Sequence, residues 1–258
     1  MSKWVIRGLE TGIRTTSYPA HPDDSPGITP GRPVATVAGG DIGAIVNVCP
    51  THALSAGADG VAVDARRCIH CSRCRRGAGG PVRWSQDYEW AMQGESHALA
   101  GDGLPGAFGR SLHVIVVDAG DCGACLNEVR QLNGPFYNMH RLGFFLTPSP
   151  RHADLLIVVG PVTDQMRVPL QKTYDAMPTP RRVVAVGACA LSGGTFGPSF
   201  VCAAGVRTVL PVDVEVPGQP PPPLAILHGL LVAVGRRPPC KEASMPSRVA
   251  TSRGGGRT

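Results

Sequence analysis

The second half of the sequence contains four apolar runs with the length and composition of buried β-strands. They are LHVIVVD (112–118), DLLIVVG (154–160), RRVVAVG (181–187) and VRTVLPVD (206–213). Between and after them, residues 165–177 have helical spacing, and residues 221–234 begin with prolines that suit the start of a helix. Strands that alternate with helices predict an α/β fold with a doubly wound, flavodoxin-like parallel sheet.

The first half of the sequence has a different character. Residues 1–80 are irregular, rich in Pro and Gly, and contain four of the nine cysteines. Residues 81–110 predict a linker, in which WSQDYEWAMQ (84–93) is expected to form one short helix between Gly-rich stretches. The sequence therefore predicts a small domain over 1–80, a linker over 81–110 and a larger domain over 111–235.

The positive charge of the chain is concentrated at its end. Of the net charge of +6, most lies in residues 236–258, which are rich in Arg, Gly, Ser and Pro. Such a composition predicts a basic disordered tail, because it cannot bury enough apolar surface to fold. The rest of the chain is nearly neutral, so nucleic acid is not indicated as a partner.

No stretch of the sequence predicts a leader or a membrane span. The segment MSKWVIRGLE (1–10) lacks the apolar core of a signal peptide. The longest apolar run, around 224–234, is about half the length that a bilayer span needs. We therefore expect a cytoplasmic chain without its own membrane anchor. In a reducing compartment, nine cysteines favour metal ligation over disulfides.

Four cysteines of the first half have the spacing of an iron–sulfur site. CIHCSRC places Cys68, Cys71 and Cys74 with two residues between neighbouring cysteines, and Cys49 is followed by Pro50. In the bacterial ferredoxin run C-x2-C-x2-C-x3-C-P, the last cysteine serves the other cluster of a two-cluster fold. Here the run that ends at Cys49 lacks its first three cysteines, and the run that begins at Cys68 lacks its last. The four cysteines that are present predict a single [4Fe-4S] cluster in a small ferredoxin-like α+β domain.

The alternative for this set is a zinc site, which also takes four thiolates. Zinc sites favour two separated C-x2-C knuckles, whereas this sequence has three cysteines in one loop and a Cys-Pro pair. The spacing favours the cluster.

A second set of cysteines follows the predicted strands. Cys122 and Cys125 come directly after the strand at 112–118, and Cys189 follows the strand at 181–187. Loops at the carboxyl ends of parallel strands converge on one crevice, so the three thiols are expected to share a site. The competing interpretation is a thioredoxin-like C-x2-C at a helix N-terminus. Such a dithiol enzyme has no need of Cys189.

Several ordered motifs in the second half carry a family resemblance. They are DAGDCGACLNE (118–128), PSPRHAD (148–154), GAC (187–189), SGGTF (192–196) and PVDVEVPG (211–218). With them, the chain from about 112 to 234 resembles the small subunit of membrane-bound, formate-hydrogenlyase-type nickel–iron hydrogenases. That subunit is homologous to the B subunit of NADH–quinone oxidoreductase. The first half resembles the ferredoxin-type subunit of the same complexes, here fused to the second half.

The resemblance implies an electron-transfer subunit of a multisubunit oxidoreductase, with no complete active site in this chain. A large catalytic subunit is expected over the face of Cys122 and Cys189, with membrane subunits beneath. The chain is thus expected on the inner face of the cell membrane, held there by its partners. The reaction is expected to be hydrogen evolution or uptake, or electron delivery to quinone. The resemblance also implies a part in proton movement for Glu128, which as a carboxylate in the first turn of a helix equally suits the helix dipole.

One residue departs from the family pattern. The family follows V-P-G with a cysteine that is the fourth ligand of its cluster, and this sequence has Gln219. An amide oxygen is a poor replacement for a thiolate on iron. The site is left with a four-iron cluster and a substitute ligand, a three-iron cluster, or no cluster, and Cys202 and Cys240 are candidate substitutes. Because three cysteines remain, we expect a second iron–sulfur cluster of altered ligation. The rival interpretation is a structural or assembly subunit with a degenerate second site.

Overall fold

A computed structural model describes residues 2–35, 41–57, 60–76, 82–94 and 111–240. Its elements in the first half are α1 (Lys3–Thr11), β1 (Arg32–Pro33), α2 (Ile42–Asn47), β2 (Leu54–Gly57), β3 (Gly60–Val63), a 3-10 helix (Ala65–Arg67), α3 (Arg73–Arg76), β4 (Trp84–Ser85) and β5 (Met92–Gln93). Those of the second half are β6 (Leu112–Asp118), α4 (Ala124–Gln131), β7 (Phe144–Leu146), β8 (Leu155–Val159), α5 (Asp164–Ala176), β9 (Arg182–Val186), α6 (Ala188–Ser192), β10 (Val214–Val216) and α7 (Pro223–Ala233). Further 3-10 helices lie at Met139–Leu142, Pro150–His152 and Val206–Thr208.

Six strands form one sheet in the order β5-β10-β9-β8-β6-β7. The pairs from β10 to β7 are all parallel, and β5 is antiparallel to β10 at the edge. Numbered along the chain, the five parallel strands run 2-1-3-4-5, which is the flavodoxin-like order. The predicted parallel α/β sheet is confirmed, with an antiparallel strand added.

Helices cover both faces of this sheet. Alternate residues of a strand point to opposite faces, so Leu155 and Ile157 of β8 join one apolar cluster with α4 and α7, while Leu156 and Val158 join another with α5 and α6. The sheet is therefore doubly wound, as the sequence predicted.

Helix α7 is buried on all sides, since each of its residues from Pro223 to Ala233 is buried. The helix packs on the sheet, and residues of the first half, among them Tyr18, Tyr88 and Trp90, belong to the same apolar cluster. An apolar helix with no polar face requires such cover. The first half of the chain thus completes the core of the second.

Most of the predicted elements of the second half are confirmed. The strand predicted at 112–118 is β6, and those at 154–160 and 181–187 are β8 and β9. The helices predicted at 165–177 and 221–234 are α5 and α7.

Two predicted elements are wrong. Residues 206–213 form a 3-10 helix and an irregular segment, and the strand, β10, begins at Val214. Pro211 lacks the N–H that a strand ladder needs, and the buried Leu210 and Val212 serve the core from an irregular backbone. The short helix predicted over 84–93 is absent, because this segment is extended into β4 and β5.

The part of the predicted linker that the structure describes belongs to the fold. Residues 82–94 supply the edge strand β5 to the main sheet, and their Trp90 and Ala91 are fully buried. The start of the predicted tail is also bound, since the Cys240 N–H donates to the Ala91 carbonyl at 2.8 Å and Arg236 donates to the Leu142 carbonyl. Residues 241–258 of that tail, and 95–110 of the linker, lie outside the described residues.

The cysteine-rich zone has a small core of its own. The antiparallel pair β2-β3 packs with α2 through Ile45, Leu54 and Val61, and Cys49 and Cys74 lie against this cluster. The zone is α+β, and its ferredoxin-like character stays a prediction. In the described ranges no helix combines the length and apolar character that a membrane crossing needs.

Candidate metal centres

The four cysteines predicted as cluster ligands come together around one small cavity. Cys49 lies just after α2, and Cys68 lies just after the 3-10 helix. Cys71 lies two residues before α3, and Cys74 lies within it. All four line the cavity, together with Pro33, Thr51, Leu54 and Trp84 among others. Residues that lie up to 25 positions apart in the sequence are thus gathered at one place.

Backbone and burial shape the chemistry of these thiols. The Ala53 N–H donates to Cys49 Sγ at 3.2 Å. Burial, and then the neighbouring cysteines, raise the pKa of Cys68 to about 12, although a backbone N–H bond from His70 acts against them. Burial also raises the pKa of Cys74, and the Trp84 side chain opposes that rise. Without metal the thiols of Cys68 and Cys74 therefore stay protonated, and metal binding must release their protons.

Two buried ring nitrogens beside this cavity, Trp84 Nε1 and His70 Nδ1, make no well-formed hydrogen bond to a described residue, although the Trp84 indole lies near the Cys74 thiol. Burial, followed by the charge of Arg32, lowers the pKa of His70 to about 4, so its ring is neutral near pH 7. An unsatisfied buried N–H is costly, and the sulfur atoms of a cluster would accept it.

The donor set suits an iron–sulfur cluster. In the described part of the chain, no group of three or more His, Cys, Asp or Glu side chains could hold a single metal ion. A [4Fe-4S] cluster, by contrast, takes four thiolates, each on a different iron. Four cysteines placed around a cavity, with a buried N–H left unpaired in its wall, fit that group.

The second predicted set also comes together, at the carboxyl ends of β6 and β9. Cys122 and Cys125 lie at the start of α4, and Cys189 lies in α6. Cys125 and Cys189 are buried, whereas Cys122 is exposed. Burial raises the pKa of Cys125, and the charges of Asp121, Cys189 and Cys122 raise it further, so the three thiols interact.

Gln219 occupies the position that the sequence singled out. Its Oε1 lies 3.6 Å from Cys189 Sγ and accepts a hydrogen bond from that thiol. Gly187 gives the site its space, since a Cβ there would lie 2.5 Å from Cys125 Sγ. Of the two candidate substitute ligands, Cys240 lies against Arg32, whose guanidinium nitrogen is 3.4 Å from its sulfur. Cys202 lies in a backbone bridge with Thr163.

The loop that carries Cys122 is held by two carboxylates. Asp118 Oδ1 accepts from the N–H groups of Gly120 and Asp121 at 2.9 and 2.7 Å. Asp121 Oδ2 accepts from Gly123 and Leu126, both at 3.0 Å. The DAGDCG sequence therefore fixes the loop through its own side chains.

Three thiols and one amide oxygen fit a cluster with an altered fourth position.

Glu128 lies on α4, in the turn after Cys125, and is half-buried. Burial raises the pKa of its carboxyl above the usual range. Such a shift lets a carboxyl hold its proton at a higher pH.

Sequence reasoning missed the contact that joins the two cysteine-bearing segments. Ser192 Oγ, at the end of α6, donates to the Arg66 carbonyl at 3.0 Å. The Arg66 guanidinium pairs with Glu215 of β10, which is almost fully buried. Arg66 precedes Cys68 by two residues, and Ser192 follows Cys189 by three. No sequence pattern marks such a pair, because its members lie 149 residues apart.

The fold and the two cysteine sets define an α/β protein that gathers thiols at the carboxyl ends of parallel strands and in a small appended zone. The chain belongs to the NADH ubiquinone oxidoreductase 20 kDa subunit family, whose sequence pattern matches residues 122–233. This range includes the second cysteine set and leaves the first set outside it.

The chain is similar to two named relatives and to one chain of a solved structure. The probable membrane-bound hydrogenase subunit mbhJ of Pyrococcus furiosus is 44% identical over 126 residues, which cover 49% of this chain and 75% of that protein. Formate hydrogenlyase subunit 7 of Escherichia coli is 40% identical over 126 residues, 49% of each chain. A chain in the solved structure of the membrane-bound sulfane sulfur reductase, an archaeal respiratory membrane complex, is 29% identical, with a TM-score of 0.46 over 51% of this chain and 72% of that one.

Proposed function

We propose that this chain is an iron–sulfur electron-transfer subunit of a multisubunit, membrane-associated oxidoreductase of the hydrogenase or NADH–quinone oxidoreductase type. It relays electrons between a ferredoxin-type cluster in its first half and a large catalytic subunit. The family and the names of its relatives support the class of complex. The clusters, when bound, accept and pass on single electrons.

The observation that carries the proposal is the direct contact between the two cysteine-bearing segments. The 3-10 helix before Cys68 touches α6, which holds Cys189, through the bond from Ser192 to Arg66. A buried ion pair between Arg66 and Glu215 ties the same segment to β10, four residues before Gln219. A protein that relays electrons between two sites needs them held at a fixed, short separation, and these contacts serve that need.

In this proposal Cys49, Cys68, Cys71 and Cys74 hold one [4Fe-4S] cluster in a ferredoxin-like domain over 1–80. Cys122, Cys125 and Cys189 hold a second cluster in the domain over 111–235, with Gln219 beside its fourth position. The large subunit docks over the face of Cys122 and Cys189, where Cys122 is exposed, and Phe196 and Phe200 of the loop after α6 are exposed as well. Membrane subunits of the complex keep the chain on the cytoplasmic face. Glu128 serves as a proton relay next to the second site.

A second candidate is a structural or assembly subunit with an empty second site, and Gln219 favours it. Iron and zinc content per chain, measured on the complex purified without oxygen, separates the two. The relay predicts about eight irons, or seven with a three-iron cluster, and the structural subunit about four. A colourless protein with one zinc per chain would rule out the first cluster.

A pair of variants sharpens this test. Cys125→Ser removes the buried thiol of the second site, so the relay predicts a loss of three to four irons (about half of the total). Cys240→Ser is the matched control, because its sulfur contacts Arg32 and not the second site. Equal iron content in wild type and Cys125→Ser would favour the structural subunit.

A further inference from the structure

The wall of the first cysteine cavity contains a tryptophan, Trp84, whose indole N–H makes no well-formed hydrogen bond within the described residues. Trp84 lines the cavity together with all four cysteines and its Nε1 is buried, although the indole lies close enough to the Cys74 thiol to lower the pKa of that thiol. An indole N–H can only donate a hydrogen bond, and it has a single hydrogen to give. The sulfur atoms within the cavity are acceptors of the kind it lacks.

The same zone satisfies its other buried indole twice. Trp90 is fully buried, and its Nε1 lies 2.9 Å from the Asp87 carbonyl oxygen and 2.7 Å from Asp87 Oδ1. The buried indole N–H of Trp90 is therefore paired with acceptors of the protein itself. The unpaired Trp84 is an exception, and it occurs at the cysteine cavity.

The orientation of Trp84 is fixed by its surroundings. It lies in β4 opposite Pro33 of β1, and Pro33 also lines the cavity. The His70 ring meets it edge-on at 5.9 Å, and the Arg75 guanidinium lies 6.0 Å from its ring centroid. These contacts hold the ring in place, so its N–H is preorganised.

We propose that Trp84 donates its indole N–H to a sulfur atom of the iron–sulfur cluster held by the first cysteine set, and so sets the reduction potential of that cluster. The inference rests on the proposed function. Reduction places one more negative charge on the cluster and its sulfurs, and a hydrogen bond to a more anionic acceptor is stronger. Trp84 therefore stabilises the reduced state and raises the potential.

The test is a redox titration of the full chain in its complex, followed by the paramagnetic resonance signal of the reduced first cluster. Trp84→Phe keeps an aromatic ring and removes the N–H. We expect the equilibrium constant for reduction to fall about tenfold, which for one electron moves the midpoint potential about 59 mV lower. Trp4→Phe is the matched control, since Trp4 is 76% exposed on a helix with no buried residue. It should leave the potential unchanged.

A second measurement on unaltered protein covers the case in which Trp84→Phe fails to assemble. With 15N-labelled indole nitrogens, electron–nuclear double resonance of the reduced first cluster is expected to show a coupled indole nitrogen. Trp90 is engaged by Asp87 and Trp4 is exposed, so the coupling is assigned to Trp84. An intact cluster with no such coupling, or with an unchanged potential in Trp84→Phe, overturns the inference and leaves the proposed function standing. Wild type without a first cluster overturns the proposed function itself.

Discussion

At the residue scale, Gln219 decides what the second site can hold. Its amide oxygen lies beside Cys189 and completes a set of three thiols and one neutral oxygen. Iron prefers a charged, softer thiolate, so we predict that one iron of the second cluster is labile. Gln219→Cys should convert the site into a stable four-iron cluster, seen as a gain of iron per chain and a new resonance signal on reduction. Gln219→Ala, which supplies no ligand, is its control. A wild type that holds only the first cluster, together with no gain of iron in Gln219→Cys, contradicts the relay.

The ion pair between Arg66 and Glu215 is the second residue-scale feature with a measurable consequence. Their side chains are 18% and 2% exposed. Removal of one partner from a buried pair takes a counter-charge away from the other, so Arg66→Met should lower the free energy of unfolding by about 3 kcal/mol. A double variant with Glu215→Leu should recover part of that loss, because both charges are then gone. Midpoints of urea unfolding measure both effects.

Arg67 provides the matched comparison for this prediction. It pairs with Asp64 at 3.6 Å, but both side chains are about half exposed, 54% and 45%. Exposed pairs contribute at most about 1 kcal/mol, so Arg67→Met should change the unfolding midpoint little. Equal costs for Arg66→Met and Arg67→Met would show that the buried pair does not clamp the cysteine loop to the sheet.

Functional residues were predictable from the sequence where they lie close together in it or next to a visible strand, and not where they depend on distant contacts. Both cysteine sets were predictable, because metal ligands cluster in short spacings and at the ends of strands that are themselves visible in the sequence. Trp84 and the pair of Arg66 with Glu215 were not, because their roles depend on contacts between segments far apart in the chain. The position of Gln219 was predictable only from the family resemblance.

At the scale of elements, the edge strand β5 depends on a glycine. A Cβ at Gly94 would lie 2.1 Å from the Val212 carbonyl oxygen, which is backbone and cannot move aside. We predict that Gly94→Ala separates β5 from β10 and costs about 1–3 kcal/mol of stability. Gly8→Ala in α1 is the control, because a Cβ there meets nothing within 4 Å. Thermal unfolding followed by circular dichroism compares the two, and equal melting temperatures would refute the prediction.

Helix α7 is joined to two other segments through His228. Its Nδ1 accepts from the Ala91 N–H at 3.2 Å, and its Nε2 lies 3.1 Å from the Pro238 carbonyl oxygen. Burial lowers the pKa of His228; the charge of Arg237 acts in the same direction, while Glu89, Asp87 and the bond to Pro238 act against it. The folded state therefore holds a neutral ring where the unfolded chain binds a proton.

The sign of the resulting pH dependence follows from linkage. A histidine with a lowered folded pKa contributes its full stability above its unfolded pKa, about 6.5, and loses it as the pH falls below that value. We predict that His228→Gln weakens the loss of stability between pH 7.5 and pH 5.5, by up to about 1.4 kcal/mol per pH unit for one proton. His21→Gln is the control, since His21 is exposed. Urea midpoints at the two pH values measure the slope, and identical slopes in wild type and His228→Gln contradict the prediction.

The elements themselves were predictable where burial is continuous. Strands such as β8, with all of its residues buried, read as unbroken apolar runs. The strand predicted at 206–213 was wrong because its apolar residues pack on the sheet from an irregular backbone that Pro211 keeps out of the ladder. The helix predicted at 84–93 was wrong because pairing with β10 outweighs local preference, and that pairing cannot be seen in the segment alone.

At the scale of the whole molecule, the two halves share one core and have separate sites. The sequence predicted a change of character near residue 111, but not that Tyr18, Tyr88 and Trp90 of the first half would belong to the same apolar cluster as α7. An all-apolar helix signals that it must be covered, without naming what covers it. The linker prediction rested on Gly-rich stretches, and the segment between them, 84–93, ends in a strand of the main sheet.

This arrangement leads to a prediction about independence of the sites. Cys71 lies in the small zone whose core of Ile45, Leu54, Val61 and Val82 is separate from the two clusters on the faces of the sheet. Cys71→Ser should therefore remove the first cluster, about four irons, and leave the parallel sheet folded and the second site loaded. Cys240→Ser should keep both.

Iron content, circular dichroism and the resonance spectrum of the reduced protein check this outcome together. In the proposed relay the first cluster would anchor the loop of Cys68, and the bond between Ser192 and Arg66 joins that loop to α6. If that bond held the second site in shape, Cys71→Ser would lose the signals of both clusters. The sheet has its own core on both faces, with β8 and β9 fully buried, and Asp118 and Asp121 fix the loop of Cys122 from within. The second signal should therefore survive, and its loss would mean that the first cluster is required to build the second site.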